Sequence, residues 1–217
     1  MRVEIGWQND KLSGNHFFNC RQSIHLTGLR SEIYYNTFTN TKTNLFSSKG
    51  IWVDGWNGIS AFKNTFNGQE TCILLQDVNG SSFMTSKLGK NVYNNYKAGI
   101  GFVGDNSGMS FDNETFNFGE VGIAYGLYDI AGLNLHRIQI QGSLVTSCRN
   151  YFSNSVDDIK SPDLDLGNTD PFWYYYPDSL SQLYSGFRPL CSVNNIDCNN
   201  KANFHEIASI GGWTYSL

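Results

Sequence analysis

Residues 64–76 read NTFNGQETCILLQ, and this stretch contains the pattern that recurs along the chain. Its aromatic residue, Phe66, is followed seven positions later by Ile73. The same interval separates four further pairs: Phe17/Ile24, Tyr93/Ile100, Phe116/Ile123 and Phe152/Ile159. A sixth pair, Phe38/Ile51, is longer because residues 39–50 carry extra Thr, Asn, Ser and Lys, as surface loops do. One interval repeated in this way predicts a stack of similar structural units.

The residues after each isoleucine indicate strands rather than helices. Apolar residues occupy the first and third positions, as in Ile51-Trp52-Val53-Asp54, and this alternation of period two is typical of a strand. The stretches end at Gly, Asn or Asp, which favour tight turns. The repeat is therefore predicted to consist of strands and turns throughout.

Asparagine stands two positions before the aromatic residue in five of the six units. The five residues are Asn15, Asn36, Asn64, Asn91 and Asn150. The fifth unit differs, with Glu114 at this position and Asn113 beside it. Residues two apart on a strand share a face, so these amides are predicted to point inward and to hydrogen-bond from unit to unit.

This motif, Asn-x-Phe followed by Gly-Ile and an apolar alternation, resembles the parallel β-helix repeat of the pectate-lyase-like superfamily over residues 12–159. The resemblance implies an all-β fold, a right-handed parallel β-helix of about six rungs. It leaves function open, because the superfamily includes polysaccharide lyases, hydrolases, epimerases, phage tailspikes and surface adhesins.

The pattern ends after Ile159, which suggests a division of the single expected domain. Residues 1–159 are predicted to form the rungs, and residues 160–217 a C-terminal capping segment. An aromatic cluster at residues 171–177, PFWYYYP, suits a cover over the last rung. Rungs followed by such a tail are similar in style to secreted surface proteins of the Bacteroidetes.

Composition and charge argue against a protein that binds nucleic acid or inserts into a membrane. The chain has 22 Gly and only 4 Pro, its formal charge is −4, and it has no cluster of Lys and Arg. These features argue against nucleic-acid binding, and the lack of a long apolar stretch argues against membrane insertion. We expect an extracellular or cell-surface protein whose export signal was removed or belongs to a larger parent protein.

The spacing of the five cysteines is compatible with one disulfide bond and does not predict a metal site. Cys191 and Cys198 enclose a short polar loop that a disulfide can close in an oxidising compartment; the alternative is two unrelated thiols. Cys20, Cys72 and Cys148 are predicted to be small buried residues. No Cys-x-x-Cys spacing is present, so neither a metal nor another cofactor is expected.

The outward residues of the isoleucine strands form the candidate functional surface. Two rows follow from strand parity: His25, Trp52, Leu74, Gly101, Ala124, and Thr27, Asp54, Gln76, Val103, Gly126. Bulky residues followed by small ones suggest a shallow groove with Trp52 and Trp56 at its wall. Indole rings beside Asp54 and Gln76, near His25, predict a glycan-binding platform. The alternative is that the insertion at residues 39–50 covers this face.

The second hypothesis is a polysaccharide lyase or glycoside hydrolase that acts on an extracellular, acidic polysaccharide. Its calcium ligands, the one cofactor this hypothesis adds, come from Asp54, Asp77 and Asp105, although turn aspartates usually bond to backbone groups. Its basic residues come from His136-Arg137. We favour the first hypothesis, a non-catalytic module that binds polysaccharides or cell-surface glycans or serves as an adhesive or structural scaffold.

Overall fold

The computed structural model describes residues 2–6, 12, 14–28, 30–42, 48–55, 59–78, 82–85, 90–106, 108–112, 114–125, 137–138, 150–153, 157–160, 173–175 and 201–203. Its strands in chain order are β1 (Arg2–Ile5), β2 (His16–Phe18), β3 (Gln22–Thr27), β4 (Arg30–Tyr34), β5 (Thr37–Thr39), β6 (Lys49–Asp54), β7 (Ile59–Phe62), β8 (Thr65–Asn67), β9 (Thr71–Gln76), β10 (Ser82–Thr85), β11 (Val92–Asn94), β12 (Ala98–Val103), β13 (Asp105–Asn106), β14 (Met109–Asp112), β15 (Thr115–Asn117), β16 (Val121–Tyr125), β17 (Arg137–Ile138), β18 (Tyr151–Ser153), β19 (Asp157–Lys160), β20 (Trp173–Tyr175) and β21 (Lys201–Asn203).

These strands form an all-β parallel solenoid built on three sheets. The phenylalanine sheet has the order β2-β5-β8-β11-β15-β18, and the isoleucine sheet has the order β3-β6-β9-β12-β16-β19. The third sheet has the order β1-β4-β7-β10-β14. Neighbouring strands in each sheet are three strands apart in the chain, or four where the short strand β13 intervenes, so the chain visits the three sheets in turn as it coils. The parallel solenoid predicted from the repeat is confirmed.

The register places equivalent residues of successive repeats directly beside one another. Phe66 pairs with Phe38 on one side and Tyr93 on the other. Ile73 pairs in the same way with Ile51 and Ile100. The seven-residue interval is therefore the distance along the chain from a position in the phenylalanine sheet to its counterpart in the isoleucine sheet.

Aromatic rings fill one side of the core as a continuous stack. Its members are Phe17, Phe38, Phe66, Tyr93, Phe116 and Phe152. Neighbouring ring centroids lie 4.6 to 5.2 Å apart, and the rings are within 8° of parallel. The last five rings are completely buried. Parallel in-register pairing brings each ring over the next, and offset stacking of this kind adds to the stabilisation from burial.

The asparagine side chains form a second internal column beside this stack. The Nδ2 atom of Asn15 donates to Oδ1 of Asn36 at 3.0 Å, and Asn36 donates in the same way to Asn64 at 3.2 Å. Asn64 continues the series to Asn91 at 3.0 Å. Each acceptor oxygen also receives the backbone N–H of the preceding residue in the column. The column thus satisfies buried amides with one another.

Glu114 takes the place of an asparagine in this column. It is completely buried, and its carboxylate accepts bonds from the backbone N–H and the side-chain amide of Asn91, both at 3.2 Å. Its own backbone N–H donates to Oδ1 of Asn150 at 2.9 Å. Burial raises the pKa of neighbouring Tyr93 well above its usual value, and the negative charge of Glu114 raises it further. A carboxylate therefore replaces an amide without breaking the column.

The turns that follow four strands of the phenylalanine sheet use a left-handed backbone conformation. The first residue after the strand has a positive φ at Asn19 (53°), Gly68 (72°), Asn95 (52°) and Phe118 (56°). Glycine and asparagine tolerate this conformation well, whereas a bulky side chain adopts it only at a cost. Phe118 is therefore an unusual residue for its place in the repeat.

The C-terminal part of the chain is described only at a few strands. Residues 173–175 and 201–203 pair as the antiparallel strands β20 and β21. The rest of the aromatic tail, together with Cys191 and Cys198, lies outside the described residues. Within the described part, no helix is long and apolar enough to span a bilayer.

Candidate functional site

The outward columns of the isoleucine sheet have the register expected from strand parity. His25 pairs with Trp52, which pairs with Leu74, and the column continues through Gly101 to Ala124. Beside it, Thr27 pairs with Asp54, and Asp54 pairs with Gln76. The structure therefore brings four of the five predicted glycan-binding residues onto one face. The fifth, Trp56, lies outside the described residues.

His25 and Trp52 form a stacked pair at the start of this face. Their ring centroids lie 4.0 Å apart with an interplanar angle of 8°. His25 is exposed and Trp52 is half-buried, so the imidazole covers one face of the indole. Among the described strands β3 is the last of the sheet on this side, so no described strand of this sheet lies beyond the opposite face of the imidazole.

Lys49 joins this pair, although the sequence reasoning assigned it to the insertion. Its Nζ atom lies 5.3 Å from the Trp52 ring centroid, a cation–π distance. The pKa of Lys49 is lowered, chiefly by burial and slightly by Arg21, while Glu70 opposes the shift. Strand parity would not have found Lys49, because residues three apart on a strand point to opposite faces.

The indole nitrogen of Trp52 is an unsatisfied donor. Nε1 is buried and has no hydrogen-bond acceptor within the described part of the chain. Buried N–H groups nearly always have a partner, so an acceptor from outside this part of the chain would complete the site.

Asp54 and Gln76 flank the aromatic pair as polar neighbours. Both side chains are half-buried, and they occupy adjacent strands at paired positions. The backbone carbonyl of Gln76 accepts the N–H of Gly55 at 2.9 Å, which holds the turn after Asp54 against the next repeat. A carboxylate and an amide are therefore held beside an aromatic surface.

The groove expected farther along the face is not open. Leu74, Val103 and Ala124 point outward by register, yet their exposed fractions are only 3%, 1% and 2%. Among the described members of the two columns, the residues that remain accessible are His25, Thr27, Trp52, Asp54 and Gln76.

The acidic residues considered as calcium ligands have different surroundings. Oδ1 of Asp77 accepts the backbone N–H of Asp105 at 2.9 Å, so Asp77 links two successive turns. Across the residues that the structure describes, no group of three or more His, Cys, Asp and Glu side chains is arranged to hold a metal ion. His136 falls outside those residues, and only the backbone of Arg137 is described.

The two cysteines in the described part are free thiols with different surroundings. Cys72 is completely buried, as predicted, and burial raises its pKa well above the usual value. The prediction that Cys20 is buried is wrong: it is half-buried, because it follows the edge strand β2 rather than lying inside the coil. Cys148 lies outside the described residues.

Sequence reasoning missed the outer face of the phenylalanine sheet. The residues on either side of each buried aromatic point outward, and they repeat as TFT, TFN, VYN and TFN at residues 37–39, 65–67, 92–94 and 115–117. The recurring Thr and Asn were the available signal. They form largely polar columns on the outside of the coil, in which Val92 is apolar and Thr115 is only 9% exposed.

The fold of this chain is assigned from its own geometry. The strand pairing and the stacked core establish a parallel β-solenoid. The resemblance to the pectate-lyase-like superfamily and to Bacteroidetes surface proteins rests on the sequence alone. No protein-family model, no curated protein and no solved structure matches this chain.

Proposed function

We propose that this chain is a non-catalytic β-helix module of a secreted or cell-surface protein, and that it binds polysaccharides or cell-surface glycans. The observation that carries the proposal is the His25–Trp52 stack, held beside Asp54 and Gln76 on one face. In this proposal the coil is a right-handed β-helix of about six rungs, residues 160–217 form its aromatic cap, and a larger parent protein displays it.

Sugar chemistry fits this surface. The CH faces of a pyranose ring stack on aromatic rings, while its hydroxyl groups bond to carboxylates and amides. The exposed imidazole of His25 provides the stacking surface, and the half-buried side chains of Asp54 and Gln76 provide partners for sugar hydroxyl groups. Lys49 beside the indole makes the surface compatible with acidic sugars.

Lys49 also supports a second candidate, a polysaccharide lyase or hydrolase acting on an acidic polysaccharide. A lysine with a lowered pKa serves as a general base more readily than an ordinary lysine. The pKa of Lys49 is lowered by burial. A rigid adhesive or structural scaffold without a glycan ligand is the third alternative.

Affinity electrophoresis through gels that contain neutral or acidic polysaccharides, with and without calcium, tests the proposal. Binding should retard the chain in at least one gel, and staining should show no loss of polymer. Trp52→Ala should abolish the retardation, whereas Trp52→Phe, which keeps a ring for His25 to stack on, should retain part of it.

The other outcomes identify the alternatives. Clearing of the polymer around the band indicates a depolymerase and makes Lys49→Ala the next variant. Equal migration in every gel, with folding verified by circular dichroism, contradicts glycan binding and favours the scaffold.

A further inference from the structure

We propose that the outer face of the phenylalanine sheet is a second binding surface, which holds an extended, neutral polysaccharide chain along the axis of the solenoid. We call this surface the outer track. It consists of His16, Thr37, Thr65, Val92, Thr115 and Tyr151 in one column and Phe18, Thr39, Asn67, Asn94, Asn117 and Ser153 in the other. It does not depend on the Trp52 face and shares only the ligand class with the proposed function.

The outer track is a regular, linear array. Each column contains six residues at paired positions of adjacent parallel strands, so its members are about 4.8 Å apart and each column is about 24 Å long. The two columns are separated by one inward-pointing residue, the aromatic side chain of the core stack. The rigid stack therefore fixes the spacing of the outward groups.

The amides of the second column are held in place by one another. Nδ2 of Asn94 donates to Oδ1 of Asn67 at 2.9 Å, and Nδ2 of Asn117 donates to Oδ1 of Asn94 at 3.0 Å. A primary amide has two N–H donors and two acceptor lone pairs, so each bond leaves further capacity on both groups. These ordered donors and acceptors repeat along the axis, as the hydroxyl groups of an extended sugar polymer do.

Exposed aromatic rings lie at the two ends of the outer track. Among the described residues, three Phe and Tyr side chains are well exposed to solvent. Their exposed fractions are 57% for Phe18, 61% for Phe118 and 40% for Tyr151. Phe18 and Tyr151 belong to the first and last strands of the track, and Phe118 directly follows Asn117. A polar track with stacking surfaces at its ends matches the amphipathic surface of a sugar chain.

Phe118 is the most informative of these rings. It occupies the left-handed turn position that Asn19, Gly68 and Asn95 occupy in other repeats. A bulky residue in this conformation lowers stability, and an exposed phenyl ring gains little from burial. Contact with a ligand would explain why phenylalanine stands in a turn where it lowers stability.

The charge of the outer track favours a neutral ligand. Apart from His16, its residues carry no ionisable group that is charged near neutral pH, although 16% of the chain is charged. A polyuronate or a nucleic acid would meet no cation on this face, whereas neutral hydroxyl groups would meet amides and hydroxyls.

The size of the outer track favours a narrow polymer over a second copy of the chain. A strip about 24 Å long and about 10 Å wide offers about 240 Å². A stable protein interface needs about 800 Å² on each partner. One extended sugar chain, in contrast, fits a strip of this shape.

Affinity electrophoresis with soluble neutral polymers, hydroxyethyl cellulose, glucomannan and mixed-linkage β-glucan, tests the inference, with polygalacturonate as the acidic comparison. Phe118→Asn places in this turn the residue type found at two equivalent turns. Asn94→Thr places in the second column the residue type found at Thr39. Both variants should therefore fold.

We expect wild type to bind at least one neutral polymer more tightly than polygalacturonate. Phe118→Asn should weaken that binding about fivefold or more while its melting temperature stays equal or rises. Asn94→Thr should weaken it by about twofold to fivefold. Arg30→Ala, at an exposed position of the third sheet, is the control and should leave binding to this polymer unchanged. Trp52→Ala is measured beside it, because loss of binding in that variant alone would assign the polymer to the Trp52 face.

Four results overturn the inference. Equal affinities of wild type and Phe118→Asn remove the outer track from binding. A dimer in light scattering that Phe118→Asn dissociates shows that a second copy occupies the face. Loss of binding only in Trp52→Ala leaves the proposed function standing without the track. No retardation of wild type in any gel contradicts both.

Discussion

At the residue scale, Asn64 shows how strongly one buried amide supports the coil. Its side chain is completely buried, donates to Oδ1 of Asn91 and to the carbonyl of Ile33, and accepts two bonds from Asn36. Asn64→Leu removes all four bonds and leaves buried groups unpaired. We expect the free energy of unfolding to fall by about 3 kcal/mol, measured by urea denaturation.

Asn67→Leu is the matched control for this prediction. Asn67 lies three residues farther along, is half-buried and points to the outer face, where its Oδ1 accepts one bond from Asn94. Its loss should cost less than about 1 kcal/mol, because water can reach the groups that remain. Equal losses for both variants would show that the internal column contributes no special stability.

At the scale of the structural element, the contribution of the aromatic stack is seen by comparing a buried phenylalanine with an exposed one nearby. Phe116 is completely buried between Tyr93 and Phe152, at centroid distances of 4.6 and 4.8 Å. Phe116→Ala leaves a cavity in the stack and should lower the free energy of unfolding by about 4 kcal/mol. Phe118→Ala, two residues later and exposed, should change it by no more than about 0.5 kcal/mol. Similar urea midpoints for both variants would contradict the stack as a main source of stability.

The sequence predicts two of the three sheets and misses the other. The interval from Phe66 to Ile73 recurs because two corners of the coil keep a nearly constant length. In the strands of the third sheet, such as Ile59–Phe62 and Ser82–Thr85, no aromatic residue or asparagine recurs at a fixed position. Turns of different length separate them from the isoleucine strands, so no fixed interval identifies them.

The candidate site is predictable only as far as strand parity reaches. Parity places His25 beside Trp52, because paired residues on parallel strands share a face. It does not reveal that Leu74 and Ala124 are buried, since burial depends on tertiary packing and not on the strand pattern. Parity around Phe66 also gives the outward positions of Thr65 and Asn67. That these residues belong to continuous columns is visible only when the six strands are aligned.

At the scale of the whole molecule, a solenoid should tolerate the loss of one complete repeat. Asn64 and Asn91 are adjacent members of the same column, and Phe66 and Ile73 pair with Tyr93 and Ile100. Deletion of residues 64–90 therefore joins Lys63 to Asn91 and stacks Tyr93 on Phe38. In a parallel repeat each unit contacts only its neighbours, so the remaining interfaces can re-form.

This deletion variant should fold and unfold cooperatively in urea, with less stability and an m value about one eighth smaller, since m scales with the surface exposed on unfolding. Deletion of residues 64–77 is the control. It joins Lys63 to Val78, removes strands β8 and β9 but leaves β10, and so breaks the order of the three sheets. Far-UV circular dichroism should show strands in the first variant and an unfolded chain in the second. Loss of structure in both would mean that the stability of the coil depends on particular repeats rather than on the repeating contacts themselves.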